Sequence, residues 1–454
     1  MTLLRKISRQ LWQAKNMGIG HVWAKVIRRM AGGASTPNPS ETALRIHAAR
    51  STEQTSLIER EIRKLSSEMR EAFEEGRYSD YLRLGNESGS LRDELARRWG
   101  MDPAERRVIG SSFLGPLGHL SFLDMYVKGA TLRQMDQRFT NVLAEKSKVA
   151  NRSYLQLWEK HLEVRKITLQ EWVDVDLVEW PICERADFVR TVGGYENSMS
   201  FWDRVNRDWE NETRDPLLEL DSGLLDRGTS VLRKMGLKES DWYVCFHVRE
   251  GDHRVTYRGP NSDVSTYSLA MDEVVKRGGV AIRMGNTDMT AIKEKPGIVD
   301  YAHSVRRADW MDVFLWATCR FFVGTGSGPI HVPGTFGVPV LMTNTSAIGM
   351  FPSYSVGSKM ITKHFHDQET GRELALAEAL DRRVGWNWSA DFSKQGVTMR
   401  DNTPEELRDA VVDMFGGDHS LTKSQIAMNE QRASSGSLIT TPFAPTFAET
   451  MAMR

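Results

Sequence analysis

The chain has 454 residues, 40% hydrophobic and 26% charged, and its 60 basic and 60 acidic side chains cancel. That length exceeds one ordinary core, so two or three domains are expected, and the neutral balance removes any global reason to expect a nucleic-acid or polyanion binder. Cys183, Cys245 and Cys319 lie far apart, without the close pairs of a zinc site or a disulfide framework, and read as buried thiols in a reducing compartment.

Residues 1–40 open the chain as a basic amphipathic segment and linker. Arg5, Lys6, Arg9, Lys15, Lys25, Arg28 and Arg29, with no acid among them, interleave with Leu3, Leu4, Ile7, Leu11, Ile19, Val22, Trp23, Val26 and Ile27 at helical spacing. Such a segment fits either docking on an anionic membrane or packing on protein. No apolar run is long enough to span a bilayer or to form a secretory core, so a cytoplasmic location is expected, peripheral at the inner face of the membrane if the basic segment docks there. "GGASTPNPS" (32–40) then reads as linker.

From 41 to 100, "SLIEREIRKLSSEMREAFEEGRYSDYLRLGNESGSLRDELARRWG" predicts two antiparallel helices broken near Gly76 and stopped at Gly100. One tetratricopeptide-like hairpin without a second copy cannot bury its own face, so it is expected to pack on the next domain. The region 101–235 begins with "RRVIGSSFLGPLGHLSFLDMYVKGA", a short strand, a glycine-rich turn and an apolar helix, which is how an α/β domain starts. "YLQLWEKHL" predicts a helix, "WVDVDLVEW" a strand, and "LLDRGTSVLRKMGL" the helix leading into a second half. The acids of "DVD" (174–176) alternate with valines on one strand face, and no metal site is expected there.

In 236–425 strands and helices alternate. "WYVCFHV", "VAIRMG", "RFFVG" and "VPVLM" predict strands, separated by helices in "DVSTYSLAMDEVVKRGG", "DWMDVFLWATC" and "GPIHVPGTFG". A parallel sheet with helices on both faces follows. "HFH" (364–366) has no third ligand nearby and reads as a loop. Thr403, Pro404 and Glu406 cap a helix in "TPEELRDAVVDMF". Residues 426–454, rich in Ser, Thr, Pro and Ala, read as a poorly ordered tail.

Two stretches carry chemistry. In "CFHVREGD" the period of two puts His247 and Arg249 on one strand face and Arg249 at the carboxyl end, where open parallel sheets bind ligands and a guanidinium can grip phosphate through two parallel bonds. The bland alternative is an arginine paired with Glu250 or Asp252. In "RFFVGTGSGPIHVPGTFGVPVL" a strand runs into Thr325, Gly326, Ser327 and Gly328, and Pro329 starts a helix, which makes an anion site without lysine. The loop is no Walker motif, and Pro329 stands where a dinucleotide fingerprint needs glycine. Together the two stretches suggest a diphosphate held from two sides. Arg283 ends a strand at the same edge and either touches ribose or phosphate or forms a surface salt bridge. His119 and Asp124, in "GPLGHLSFLD", would face an interdomain cleft where an acceptor and a general base belong. His331 points at the ligand or at the core.

On these motifs the run from 242 to 343 resembles the nucleotide-sugar half of a two-Rossmann, GT-B type glycosyltransferase. More narrowly it resembles a little-characterised bacterial glycosyltransferase family with an "HVREGD…YRN…IRMGD…FFIGTSSGP" pattern, and "HVREGD" is similar to the "HVRRTD" motif of α1,6-fucosyltransferases. The resemblance implies an α/β fold of GT-B type: two Rossmann-like domains facing a cleft, acceptor side 101–235 and nucleotide-sugar side 236–425, with a helical N-terminal extension. It implies that Arg249 holds the β-phosphate and stabilises the departing nucleotide. His247 would lie near the base, Asp252 would organise the site, Thr325, Ser327 and Gly328 would bind phosphates, and Asp312 would read a guanine edge. Glu250 stands for a second arginine and Gly328 for a second serine, and "YRGP" (257–260) lacks the asparagine, which argues against GDP-fucose. The implied activity is metal-independent transfer from a nucleoside-diphosphate sugar, GDP-linked donors among the candidates, to a surface glycan, lipid-linked or protein acceptor in polysaccharide biosynthesis, with no separate cofactor. Two rivals remain. The donor loop also resembles that of heptosyltransferases, and a non-catalytic nucleotide-binding scaffold would carry the same anion site.

Overall fold

The structure, a computed structural model, describes residues 53–135, 140–167, 187–251, 261–346, 348, 355–384, 392–435 and 440–453, apart from 76, 99, 101, 105–106, 383 and 418. The basic segment, "DVD", Cys183, Asp252 and "YRGP" lie outside these residues. The helical hairpin is α1 (Glu53–Glu74) and α2 (Tyr78–Arg98). A parallel three-stranded sheet follows, β1 (Arg107–Ile109), β2 (Thr140–Glu145) and β3 (Glu163–Ile167) in that order. With it come α3 (Leu123–Thr131) and α4 (Arg152–Trp158), the latter capped by Asn151, whose side chain accepts from Tyr154 N at 2.8 Å.

The hairpin docks as its unsatisfied face requires. Strands β4 (Phe188–Thr191) and β5 (Gly194–Asn197) pair antiparallel, and their aromatic rings enter α2 at two glycines one turn apart. A Cβ on Gly85 would lie 2.0 Å from Phe188 Cζ, and one on Gly89 2.2 Å from Tyr195 Cγ. Asp93 completes the joint by accepting from Arg190 Nε at 2.7 Å and Tyr195 OH at 2.6 Å. Next comes α5 (Ser198–Asn211), which buries Phe201, Trp202, Val205 and Trp209 as one stripe.

After α6 (Ser222–Lys234) the chain builds a six-stranded sheet: β6 (Tyr243–His247), β7 (Val280–Arg283), β8 (Ile298–Asp300), β9 (Phe322–Thr325), β10 (Val340–Thr345) and β11 (Lys359–Thr362). The order is β11-β10-β9-β6-β7-β8, all neighbours parallel. Strands β6, β9 and β10 are buried along their whole length, which is why they read as apolar runs rather than alternating ones. Helices α7 (Ser268–Lys276) and α8 (Asp309–Thr318) are among the crossovers. The chain steps outward from β6 through β7 and β8, then returns to β9 on the other side. That reversal opens a crevice at the carboxyl ends of β6 and β9. Cys245 and Cys319 are buried thiols.

Three expectations need correction. "GPIHVPGTFG" forms two 3₁₀ turns, Gly328–His331 and Pro333–Phe336. Pro333 has no N–H to give to the carbonyl four residues back at Pro329, so an α-helix cannot propagate through it. "HFH" is part of a strand, β12 (His364–Asp367), paired with β13 (Val397–Arg400). His364 is pinned there by Glu373 at 2.6 Å and Glu406 at 2.8 Å. The tail is built into the fold: after α9 (Pro404–Asp413) come α10 (Lys423–Ser434) and α11 (Pro445–Ala452). Phe443, Ala444 and Phe447 are buried, and Pro442 O and Ala444 N bond Met360 of the edge strand β11, both at 2.9 Å, covering a sheet edge that would otherwise be open.

Candidate functional site

A cleft of about 810 Å³ opens at the carboxyl edge of the six-stranded sheet, walled by residues from α1, from the turn after β1, and from the loops after β6, β7 and β9. Its floor is a contact between two glycines. A Cβ on Gly118 would lie 3.1 Å from Gly328 Cα, and a Cβ on Gly328 2.9 Å from Gly118 N. The glycine-rich turns that were legible in both halves of the chain therefore meet here, closer than side chains would permit.

The first wall belongs to β6 and β9. The Arg249 backbone N–H donates to Thr325 Oγ1 at 2.9 Å, which ties the two strand ends together. The Arg249 guanidinium lines the cleft and forms no ion pair among the described residues. Glu250 turns away from it and accepts from Thr290 N at 2.6 Å and Arg283 Nη2 at 3.3 Å. His247 is buried with Nδ1 3.2 Å from Ser327 Oγ, and the Ser327 hydroxyl donates to Thr325 O at 3.3 Å. Burial, helped by the charges of Arg283 and Arg249, pushes the His247 imidazole down to about 4, so it is neutral at pH 7.

Asp312 of α8 lines the same cleft and accepts from Tyr301 OH at 2.9 Å. Burial raises its carboxyl to about 6. His119, half-buried, faces the cleft from the other half of the chain. His331 also lines it and stacks on Trp202 with ring centroids 5.8 Å apart. Burial, with a smaller contribution from His119, pushes His331 down to about 3, so it too is neutral.

Other sequence-derived candidates lie behind this surface. Arg283 reaches the edge of the sheet, but its guanidinium is fully buried between Glu250 and Asp300, the latter at 3.5 Å. Asp124 is buried, paired with Lys128 at 2.9 Å, and accepts from Trp202 Nε1 at 2.9 Å. Asp124 was expected to face the cleft, and Arg283 either to touch ribose or phosphate or to form a surface salt bridge; instead both are held in interior ion pairs, because an interior charge must be paired. Thr325 and Gly326 are buried behind Ser327. Among the described residues no group of three or more His, Cys, Asp or Glu could hold a metal ion.

Sequence reasoning missed Arg70 and Phe73 of α1 and Arg307 just before α8, all of which line the cleft. The available signal was the stripe Ser66, Met69, Arg70 and Phe73, spaced three, four and seven residues along one helix face. Arg307, next to Arg306 in a loop, had no periodic signal.

No helix among the described residues is long and apolar enough to cross a membrane. No family model matches the chain, and no curated protein matches it. Solved structures with partial likeness include a glycosyl transferase family 9 protein from Veillonella parvula, at 12% identity and TM-score 0.37 over 57% of this chain and 85% of that one. Another is the ADP-heptose LPS heptosyltransferase II of E. coli, at 12% identity and TM-score 0.36 over 57% and 90%. A third is the iron-containing dodecameric glycosyltransferase TibC of enterotoxigenic E. coli, at 12% identity and TM-score 0.31 over 53% and 57%. At such identities and scores, none of them says what this chain does.

Proposed function

We propose that the chain is a glycosyltransferase that moves a sugar from a nucleoside diphosphate to a glycan, lipid-linked or protein acceptor, with the donor lying where β6 and β9 diverge. The observation that carries this reading is a single one: the Arg249 guanidinium, unpaired among the described residues, and the Ser327–Gly328 loop face one cleft from adjacent strands. Departure of a nucleoside diphosphate places negative charge on its β-phosphate, and a preorganised guanidinium with nearby backbone and hydroxyl donors stabilises that charge. As the bond from the anomeric carbon to the phosphate oxygen breaks, the acceptor oxygen bonds to that carbon and gives up its proton. His119, half-buried and lining the same cleft, would take it. Asp312 with Tyr301 would hold the base. In this reading 101–235 and 236–425 are the two Rossmann-like domains of a GT-B arrangement, and the basic segment before residue 40 brings the enzyme to a membrane-borne acceptor.

The test is a thermal-shift panel of GDP, UDP, ADP, CMP and dTDP against wild type and Arg249→Ala. One nucleotide should stabilise the wild type. Losing charge-assisted bonds of about 1.5–3 kcal/mol should weaken its affinity in the variant by about tenfold to a hundredfold. No shift with any nucleotide would overturn the reading.

A further inference from the structure

The proposed donor contacts come from the ends of β6 and β9, yet α1 forms a wall of the same cleft. Its docking is fixed by a small core of its own, in which Leu65, Met69, Ala72, Tyr81 and Leu84 close on Phe188, so the stripe it turns to the cleft is held in place. Phe73, half-buried, leans on Tyr81 with ring centroids 5.0 Å apart. Arg70 sits between Met69 and Phe73 on that stripe and is exposed. Elsewhere on the hairpin Arg63, Lys64, Arg77, Arg83 and Arg98 each pair with a nearby acid, while Arg60 and Arg97, which like Arg70 form no ion pair among the described residues, do not line the cleft. Glu74 stands one helical turn from Arg70, the spacing at which such pairs form. Arg70 nevertheless forms no ion pair among the described residues and lines the cleft instead.

We propose that Arg70 receives an anionic group carried by the acceptor, seated against the half-buried ring of Phe73. The inference rests on the transferase reading for the word acceptor, but the anion site itself does not. Arg249 and the glycine loop serve the donor's diphosphate from β6 and β9. Arg70 is a guanidinium on an element separate from both Arg249 and Arg307 and is bordered by the half-buried Phe73, which suits a phosphate or carboxylate attached to an apolar stem or a sugar face. Arg70 is thus a specificity-determining residue, and the hairpin is the part of the chain that selects the acceptor.

Two anionic probes with neutral counterparts test this by tryptophan-fluorescence titration: farnesyl phosphate against farnesol, and methyl glucuronide against methyl glucoside. Wild type should prefer at least one anionic probe over its counterpart by about tenfold, the size of a charge-assisted contact. Arg70→Ala should abolish that preference and Arg70→Lys should keep part of it. Nucleotide affinity should change less than about twofold in both variants. Preference for farnesyl phosphate identifies a lipid-linked acceptor, and preference for the glucuronide an acidic glycan. Equal binding of charged and neutral probes by wild type, or binding of none, overturns the proposal. So does an equal loss of nucleotide and anion affinity in Arg70→Ala, which would assign Arg70 to the donor. A wild type that binds no nucleotide but keeps an Arg70-dependent preference would sink the transferase reading and leave the anion site standing.

Discussion

Two arginines, Arg249 and Arg283, end neighbouring strands at the same edge of the sheet, and the structure predicts opposite consequences for removing them. The Arg283 guanidinium is fully buried, 3.3 Å from Glu250 and 3.5 Å from Asp300, whose side chains are 19% and 5% exposed. Arg283→Met would leave two carboxylates in a low-dielectric interior without their cation. Breaking a buried pair from one side costs about 3–5 kcal/mol. Arg249 is half-buried and pairs with no described acid, so Arg249→Met should stay within about 0.5 kcal/mol of wild type. Urea unfolding followed by tryptophan fluorescence reads both values. Adding Glu250→Gln and Asp300→Asn to Arg283→Met should recover much of the loss, since neutral amides are far cheaper to bury than charges. The reasoning fails if Arg283→Met unfolds within about 0.5 kcal/mol of wild type, or if Arg249→Met is the more damaging of the two.

Gly328→Ala would set a Cβ 2.9 Å from Gly118 N and 3.3 Å from Leu117 Cβ; because the nearer obstacle is backbone, about 1–3 kcal/mol of stability and most nucleotide affinity should be lost. Gly417→Ala, where a Cβ meets nothing within 4 Å, is the matched control and should change neither by urea unfolding or nucleotide titration. The buried histidines make stability depend on pH. His247 at about 4 and His331 at about 3 both lie below the ordinary value of 6.5, so their contribution is complete above pH 6.5 and is lost as pH falls towards 4. Asp312, raised to about 6 by burial, and His364, where burial is outweighed by Glu406 and Glu373 so that its pKa is raised, act oppositely and gain stability as they protonate. The contribution of His331 is read by difference: from pH 7 to 5 the urea midpoint of His331→Phe, which keeps a ring against Trp202, should fall less, or rise more, than that of wild type.

The sheet was legible where burial is two-sided. Strands β6, β9 and β10 announce themselves because nothing along them faces water, and the loops at the ends of β6 and β9 bring Arg249 and Ser327 to the cleft. Orientation was not legible. Period two delivers Arg283 to the sheet edge, but whether its guanidinium turns out or in is decided by Asp300 and Glu250, which approach from other segments. The role of α1 was hidden for a similar reason. Its place at the cleft depends on Gly85 and Gly89 admitting rings from Phe188 and Tyr195, about a hundred residues away. Composition misled at the tail, where two phenylalanines four residues apart, Phe443 and Phe447, anchor a segment that otherwise reads as unstructured.

The short 3₁₀ turn also changes how the donor site must work. A macrodipole of about half a charge needs several aligned helical turns, and Gly328–His331 offers four residues before Pro333 resets the chain. Charge on a leaving diphosphate would therefore fall to side chains and to local donors of the loop. With His247 and His331 neutral at pH 7, Arg249 is the cation fixed to that loop, since its own N–H is bound to Thr325 Oγ1. Thr325 is fully buried and occupied by that bond. It is a positioning residue that makes Arg249 and the loop one unit, and on the proposed reading a phosphate contact would fall to Ser327 and Gly328, which line the cleft.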